Sequence, residues 1–293
     1  RDRAPEAAAP TAAAAAAPEE EPAVTPAAVD TSGFPRRVPV PVVRPAIEQC
    51  VPTGVALDGA RFVVLPDHGG VAEAVTEALE ERGATVLPTP DAPTAEELES
   101  QLATWREEGP ITGVIGLAGL DLAPFPALSA EAWTEGLRVR VKLLATAARA
   151  LYEDLGAGAA FVTGTRLGGR FGYDEQGAQD VLGGAVSGFT KALAREREEA
   201  TVKVVDHAPD TDAATIAAHL LDEVLADPGV IEVGYDDGLR LSVGLDVQPT
   251  ERDEERALSP DDVFVITGAA GSIVSAITAD LAQGAGGGTF HLL

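Results

Sequence analysis

Methionine is absent from all 293 residues, and cysteine occurs once, at Cys50. A lone thiol excludes an intramolecular disulfide, and with no cysteine or histidine beside it in the sequence it makes no metal cluster. The four histidines, His68, His207, His219 and His291, are scattered, so no metal-ligating set is expected. No apolar run approaches the roughly 18 residues that a membrane helix needs. Residues 12–17 are only alanines beside prolines, unlike the core of a signal peptide. Positive charge is scarce: 21 Lys and Arg face 47 Asp and Glu, a net charge of -26. That balance argues against non-specific nucleic-acid binding and against attraction to anionic membranes. It fits a soluble, cytoplasmic protein. With Arg1 in first place and no methionine, the sequence reads as a segment of a longer or processed polypeptide.

What is there begins with an Ala/Pro-rich stretch over residues 1–33. It has too little apolar surface to offset its ordering entropy, and is expected to be a disordered, extended interdomain linker. Arg37-Val38-Pro39-Val40-Pro41-Val42-Val43 has extended character, and its prolines confine it to a sheet edge or a surface arm. From Arg61 onward short apolar strands alternate with helical periodicity. Strands are expected at 62–65, 84–87, 111–117, 159–163, 202–206, 231–233 and 239–243. Helices are expected at 71–82, from the Thr94-Ala95-Glu96-Glu97 capping box, at 130–152, 178–197 and 211–226. Near-continuous apolar strands separated by amphipathic helices imply an α/β fold, a doubly wound parallel sheet of Rossmann-like type spanning residues 34–250.

A charged hinge follows at 251–262, and the strand–loop–helix pattern then starts again over 263–293. The β-branched run Val263-Phe264-Val265-Ile266 stops at Thr267-Gly268, passes through Ala269-Ala270-Gly271-Ser272 and enters a helix at Ile273. Such an element cradles a dinucleotide's phosphates, because backbone N–H groups and a helix N-terminus converge there. Thr267, Gly268, Gly271, Ser272 and Ile273 are therefore the candidate cofactor-binding residues. Gly268 suits a tight turn, and Gly271 and Ser272 let the backbone approach a pyrophosphate.

These patterns resemble the ketoreductase domains of type I polyketide synthases and polyunsaturated-fatty-acid synthases, within the short-chain dehydrogenase/reductase superfamily. The resemblance covers roughly residues 36–293. It is carried by Thr163-Gly164-Thr165-Arg166-Leu167-Gly168-Gly169-Arg170-Phe171-Gly172-Tyr173 and by Leu182-Gly183-Gly184-Ala185-Val186-Ser187-Gly188-Phe189-Thr190-Lys191-Ala192-Leu193-Ala194. It implies two tandem Rossmann-like halves: a degenerate structural half, then a half that binds NADPH and carries the active site. It further implies reduction of a β-ketoacyl thioester presented by an acyl carrier domain, among neighbouring synthase domains.

The family's Tyr-x-x-x-Lys pair can be sought by spacing. The tyrosine would protonate the substrate carbonyl, and the lysine one helical turn on would lower its pKa. Counting back from Lys191 places these positions on Gln179 and Gly183, and neither can do the work. Tyr173 has Gly177 four residues later and reads as structural. After the first strand the sequence is Pro66-Asp67-His68-Gly69-Gly70-Val71, without the expected Thr-Gly-x-x-x-Gly-x-Gly, and Asp67 reads as a helix cap. Gly116-Leu117-Ala118-Gly119 keeps the small residues of the family's Asn-Asn-Ala-Gly but not its polar ones. No catalytic residue is assigned in this chain. In the loop at 267–273 the family's last glycine is replaced by Val274. The competing reading is a non-catalytic scaffold or docking module with a reductase-like fold; an independent reductase using Tyr173 is a weaker third. Arg36, Arg37 and Arg44 read as solvated charges rather than a carrier-docking patch, and Gly284-Ala285-Gly286-Gly287-Gly288 reads as a turn.

Overall fold

The computed structural model describes residues 36–122, 128–178, 180–248 and 258–293. The Ala/Pro stretch at 1–33, most of the expected hinge and Gln179 lie outside the described residues. The chain divides into two compact units, Arg37–Thr250 and Glu251–Leu293, the second also including the segment up to Arg36.

The larger unit runs β1 (Arg37–Val43), β2 (Arg61–Leu65), α1 (Val71–Glu80), β3 (Thr85–Pro88), α2 (Ala95–Glu108), β4 (Gly113–Gly116), α3 (Ala130–Leu137), α4 (Leu143–Ala150), β5 (Ala160–Thr165), α5 (Gly183–Glu196), β6 (Thr201–His207), α6 (Ala213–Leu225), β7 (Glu232–Asp236) and β8 (Leu239–Val247). The strands form one sheet in the order β1-β8-β7-β6-β5-β4-β2-β3. From β2 to β7 all pairings are parallel. Strand order, not direction, reverses between β2 and β4, because the chain first builds outward to β3 and then crosses back. The carboxyl ends around that reversal are where doubly wound folds place ligands.

Alternating side chains feed two cores. Phe62, Val64, Ile115 and Val162 face α1 and α6, against Val75, Leu79, Ile216 and Leu220. Val63, Leu65, Val114 and Phe161 face α2, α4 and α5, against Leu98, Leu102, Leu144 and Leu193. Burial on both faces explains why the strands read as unbroken apolar runs.

The doubly wound, mostly parallel sheet is as expected, with an antiparallel edge added to it; two helix extents need correction. At that edge β8 runs antiparallel to β7 and β1 antiparallel to β8. Only Asp237 and Gly238 separate β7 from β8, both at positive φ (47° and 71°). Such a two-residue turn folds the chain straight back and leaves no room for a crossover helix. The helix expected at 130–152 is interrupted by a π-turn at Arg138–Lys142. The helix expected at 178–197 begins only at Gly183, since Asp180 Oδ1 accepts the Leu182 amide (3.0 Å) and holds the preceding turn.

A buried ionic cluster joins the antiparallel edge to the core. Lys203 Nζ meets Glu223 at 2.6 Å, Arg240 Nε meets the same carboxylate at 2.6 Å, and Tyr235 donates to it at 2.8 Å. Arg240 also reaches Asp227 (2.9 Å), which Arg44 holds from the other side (2.7 Å).

The smaller unit is a single βαβ element: β9 (Val263–Ile266), α7 (Ser272–Ala285) and β10 (Thr289–Leu292), with the strands parallel. Phe264 and Phe290 stack across the pair at 4.7 Å, and Ala285 is the only buried residue of α7. Val263 and Val265, on the opposite face of the strands, are 65% and 66% exposed. The expected glycine turn is shorter than its sequence: α7 runs through Ala285, and Gly286, Gly287 and Gly288 carry it at positive φ.

Candidate functional site

Each unit opens its first βαβ element with a strand–loop–helix junction of the kind that holds phosphate, β2 to α1 and β9 to α7. The two junctions have the same architecture and opposite contents.

In the larger unit β2 ends at Leu65 and α1 begins at Val71. Between them Asp67, nearly buried, turns its carboxylate onto the loop and helix amides. It accepts from Gly69 (2.8 Å), Val71 (3.2 Å) and Ala72 (2.8 Å). Asp67 caps α1, as its position before the helix implied. It also supplies negative charge where a phosphate would have to sit. Next to it His68 bridges two carboxylates, Asp121 at 2.8 Å and Asp91 at 3.2 Å. Hydrogen bonds to Asp91 and then Asp121 raise its pKa above the ordinary histidine value. The bridge spans the carboxyl ends of β2, β3 and β4.

Other side chains fasten the same edge. Arg138, in the π-turn, donates to the carbonyls of Pro93 (2.7 Å) and Ala92 (3.0 Å), and Arg140 to that of Asp121 (2.6 Å). Asp206, at the end of β6, accepts from Leu167 N–H (2.6 Å), Phe171 N–H (2.9 Å) and the Thr165 hydroxyl (2.9 Å). Burial pushes the Asp206 carboxyl up to about 6 against the pull of these donors. A carboxylate thus organises the loop after β5, the segment that carried the family resemblance. None of Asp206, His68, Arg138 and Arg140 was picked out from sequence. The signal available for Asp206 was a charge closing an apolar strand.

The sequence-derived catalytic positions fare as follows. Gly183 opens α5, and a side chain there would meet Leu167 Cδ2 at 3.0 Å and Cγ at 3.2 Å. A side chain at this point needs Leu167 to give by a few tenths of an ångström. Tyr173 is exposed, its ring 6.3 Å from that of Phe171.

In the smaller unit the loop at 267–273 is built by backbone alone. Gly268 adopts φ +70°, its N–H donates to the Leu293 carbonyl (2.7 Å), and its carbonyl accepts Gly271 N–H (2.9 Å). The helix N-terminus at Gly271 has no side-chain cap, and Ser275 N–H takes the Gly271 carbonyl (2.8 Å). The amides of Ser272, Ile273 and Val274 form the open first turn of α7. Among the described residues no carboxylate occupies it. Thr267, Gly268, Gly271, Ser272 and Ile273 are all in this one junction, and Ile273 projects its side chain outward, 75% exposed. Open amides at the start of a 14-residue helix suit a pyrophosphate.

Among the described residues no group of three or more His, Cys, Asp and Glu is placed to hold a metal ion, and no helix is long and apolar enough to cross a membrane.

The fold is Rossmann-like, a mostly parallel sheet flanked by helices, and solved structures similar to it include ketoreductase domains of synthases. A multidomain structure with adenylation, ketoreductase and pseudo-Asub domains, from a keto acid-selecting nonribosomal peptide synthetase module, superposes with TM-score 0.64 at 13% identity, covering 88% of this chain and 25% of that one. The first ketoreductase of the tylosin polyketide synthase gives 0.57 at 18%, covering 88% and 50%. A C2-type ketoreductase from a modular polyketide synthase gives 0.54 at 23%, covering 81% and 52%. The chain therefore spans about half the length of these ketoreductases. No protein-family model and no curated protein sequence matches it.

Proposed function

We propose that this chain is mainly the structural subdomain of a ketoreductase, joined to the first piece of its cofactor-binding subdomain, within a polyketide- or fatty-acid-synthase-like megasynthase. In the complete enzyme, hydride from NADPH would reduce a β-ketoacyl thioester on an acyl carrier domain to the 3-hydroxyacyl thioester. In this reading the linker at 1–33 tethers the unit to a neighbouring synthase domain, and the work is cytoplasmic.

The observation that carries the proposal is the contrast between the two junctions. Asp67 fills the first with an internal anion, and the second keeps open amides at Ser272–Val274. When bound, a nicotinamide cofactor brings the hydride chemistry. The contribution of this chain is to hold its pyrophosphate on the Gly268–Ser272 turn and the first turn of α7. The packing of Gly183 against Leu167 supports a larger unit without catalytic chemistry. The alternative, a scaffold with a reductase-like fold, shares the larger unit's features but gives the open loop no task.

The test is oxidation of NADPH by the purified chain with a β-ketoacyl thioester. No turnover is expected from the chain alone, and turnover is expected when the polypeptide includes a Tyr-x-x-x-Lys helix. Turnover by the 293-residue chain would overturn the assignment of a structural role.

A further inference from the structure

The fastenings described above close the carboxyl edge around β2 and β4, but the same edge opens at β6 and β7. There a cavity of about 620 Å³ lies against Arg44, Ile47, Asp222, His219 and Tyr235. Its size falls within the roughly 300–1,000 Å³ of small-molecule sites. One wall is aromatic: the His219 and Tyr235 rings stack at 3.7 Å with 10° between their planes.

The charges of this wall are unevenly spent. Arg44 is committed to Asp227, and Arg240 to Glu223 and Asp227. Asp236 and Asp237 share Arg170. The carboxylates Glu48, Asp210 and Asp222 also line the cavity, and among the described residues none of them has a basic partner within salt-bridge distance. Polar atoms are left over as well. His219 Nδ1 and Arg44 Nε are buried without a hydrogen-bond partner. His207, fully buried at the end of β6, pairs neither ring nitrogen, and its ring lies 5.6 Å from that of His219 and 5.9 Å from that of Tyr235. Of these atoms, His219 Nδ1 belongs to the cavity wall and is an acceptor that a donor ligand completes, whereas Arg44 Nε is itself a donor and His207 lies behind the lining.

We propose that this cavity binds a small organic cation, a primary ammonium or guanidinium compound. Its charge is taken by Asp222 and by the face of the Tyr235–His219 stack, and its carbon chain lies along Ile47. Cations favour aromatic faces, and a charge-assisted hydrogen bond to a half-buried carboxylate is among the stronger polar contacts. Burial, with Glu48 and Glu223 nearby and Arg82 only partly opposing, holds the Asp222 carboxyl above its ordinary range, the direction expected of a carboxylate short of a counter-charge.

Agmatine, which carries both cationic groups, is the probe, titrated calorimetrically into the full chain at physiological ionic strength. One saturable site is expected. Binding should weaken about tenfold in Asp222→Asn and stay unchanged in Glu107→Gln, a charge-matched change at an exposed position on α2. Thermal melting verifies that each variant folds. Should Asp222→Asn unfold, Glu48→Gln on its exposed turn replaces it, with about threefold weakening expected. Absence of saturable binding overturns the proposal. So does unchanged binding in the folded cavity variant, or equal weakening by Glu107→Gln, which would assign the effect to diffuse acidic surface.

Discussion

Asp67 and Ser272 occupy comparable places and behave oppositely. Asp67 stands in the loop between β2 and α1, and Ser272 opens α7 after the loop that follows β9. Asp67 turns its carboxylate inward and satisfies three amides from the loop and α1. Ser272 makes no side-chain cap to the start of α7. The first junction is complete in itself and the second has donors to spare. The difference extends to their units. The larger one has two cores and a ligand edge fastened around β2 and β4. The smaller one buries one residue of its helix. A fold can thus keep its layout while one aspartate converts a ligand site into a cap, because a helix N-terminus accepts any anion that reaches it.

This contrast can be stressed in several ways. The largest effect is expected at Glu223, which receives Lys203, Arg240 and Tyr235 in the interior. Glu223→Ala leaves the buried Lys203 without its carboxylate and Arg240 with Asp227 alone, and should cost about 3–5 kcal/mol in urea unfolding. Amide exchange in α7 should be unaffected if the small unit keeps its own stability.

Next comes Asp67→Ala. Loss of an acceptor shared by three amides should cost about 1–3 kcal/mol. Ser272→Ala, at the matching junction, should stay within about 0.5 kcal/mol, as expected where no side-chain bond is lost. Equal costs from chemical denaturation would erase the contrast.

A smaller, pH-dependent effect separates the units further. Burial first, then the charges of His219 and Arg166, press the His207 pKa down to about 3, against the ordinary histidine value of 6.5. The unfolded chain therefore binds a proton between these values that the folded chain refuses. Stability from neutral His207 is complete above pH 6.5 and is lost as pH falls toward 3. Asp206, raised to about 6, works the other way and loses stability as pH rises from 3.8 through 6. In His207→Phe, stability measured across pH 6.5 to 4 should fall less steeply than in the parent, by up to about 1.4 kcal/mol per pH unit. An unchanged slope would show that His207 ionises freely.

Much of the layout was legible because burial on both faces writes itself as apolar runs. β2, β4, β5 and β6 came from such runs, and the capping box at Thr94 appears with both of its bonds. Asp67 was readable as a cap because its partners are its immediate successors. The closed edge was not readable. His68 meets carboxylates 23 and 53 residues away, and Arg44 meets Asp227 across 183 residues. Only the sheet order brings such pairs together. The π-turn and the late start of α5 also escaped, because the periodicity on either side continues through them. The loop at 267–273 was read from the strand before it, its glycines and the helix start after it, and its turn depends on backbone and not on side-chain partners.

The difference between the two junctions is tested most directly by following backbone amides by NMR while NADPH is titrated into the chain. The expected result is a saturable shift at Gly268, Ser272, Ile273 and Val274, with Gly69, Val71 and Ala72 unmoved. Shifts at Gly69, Val71 and Ala72, with the second loop silent, would contradict it.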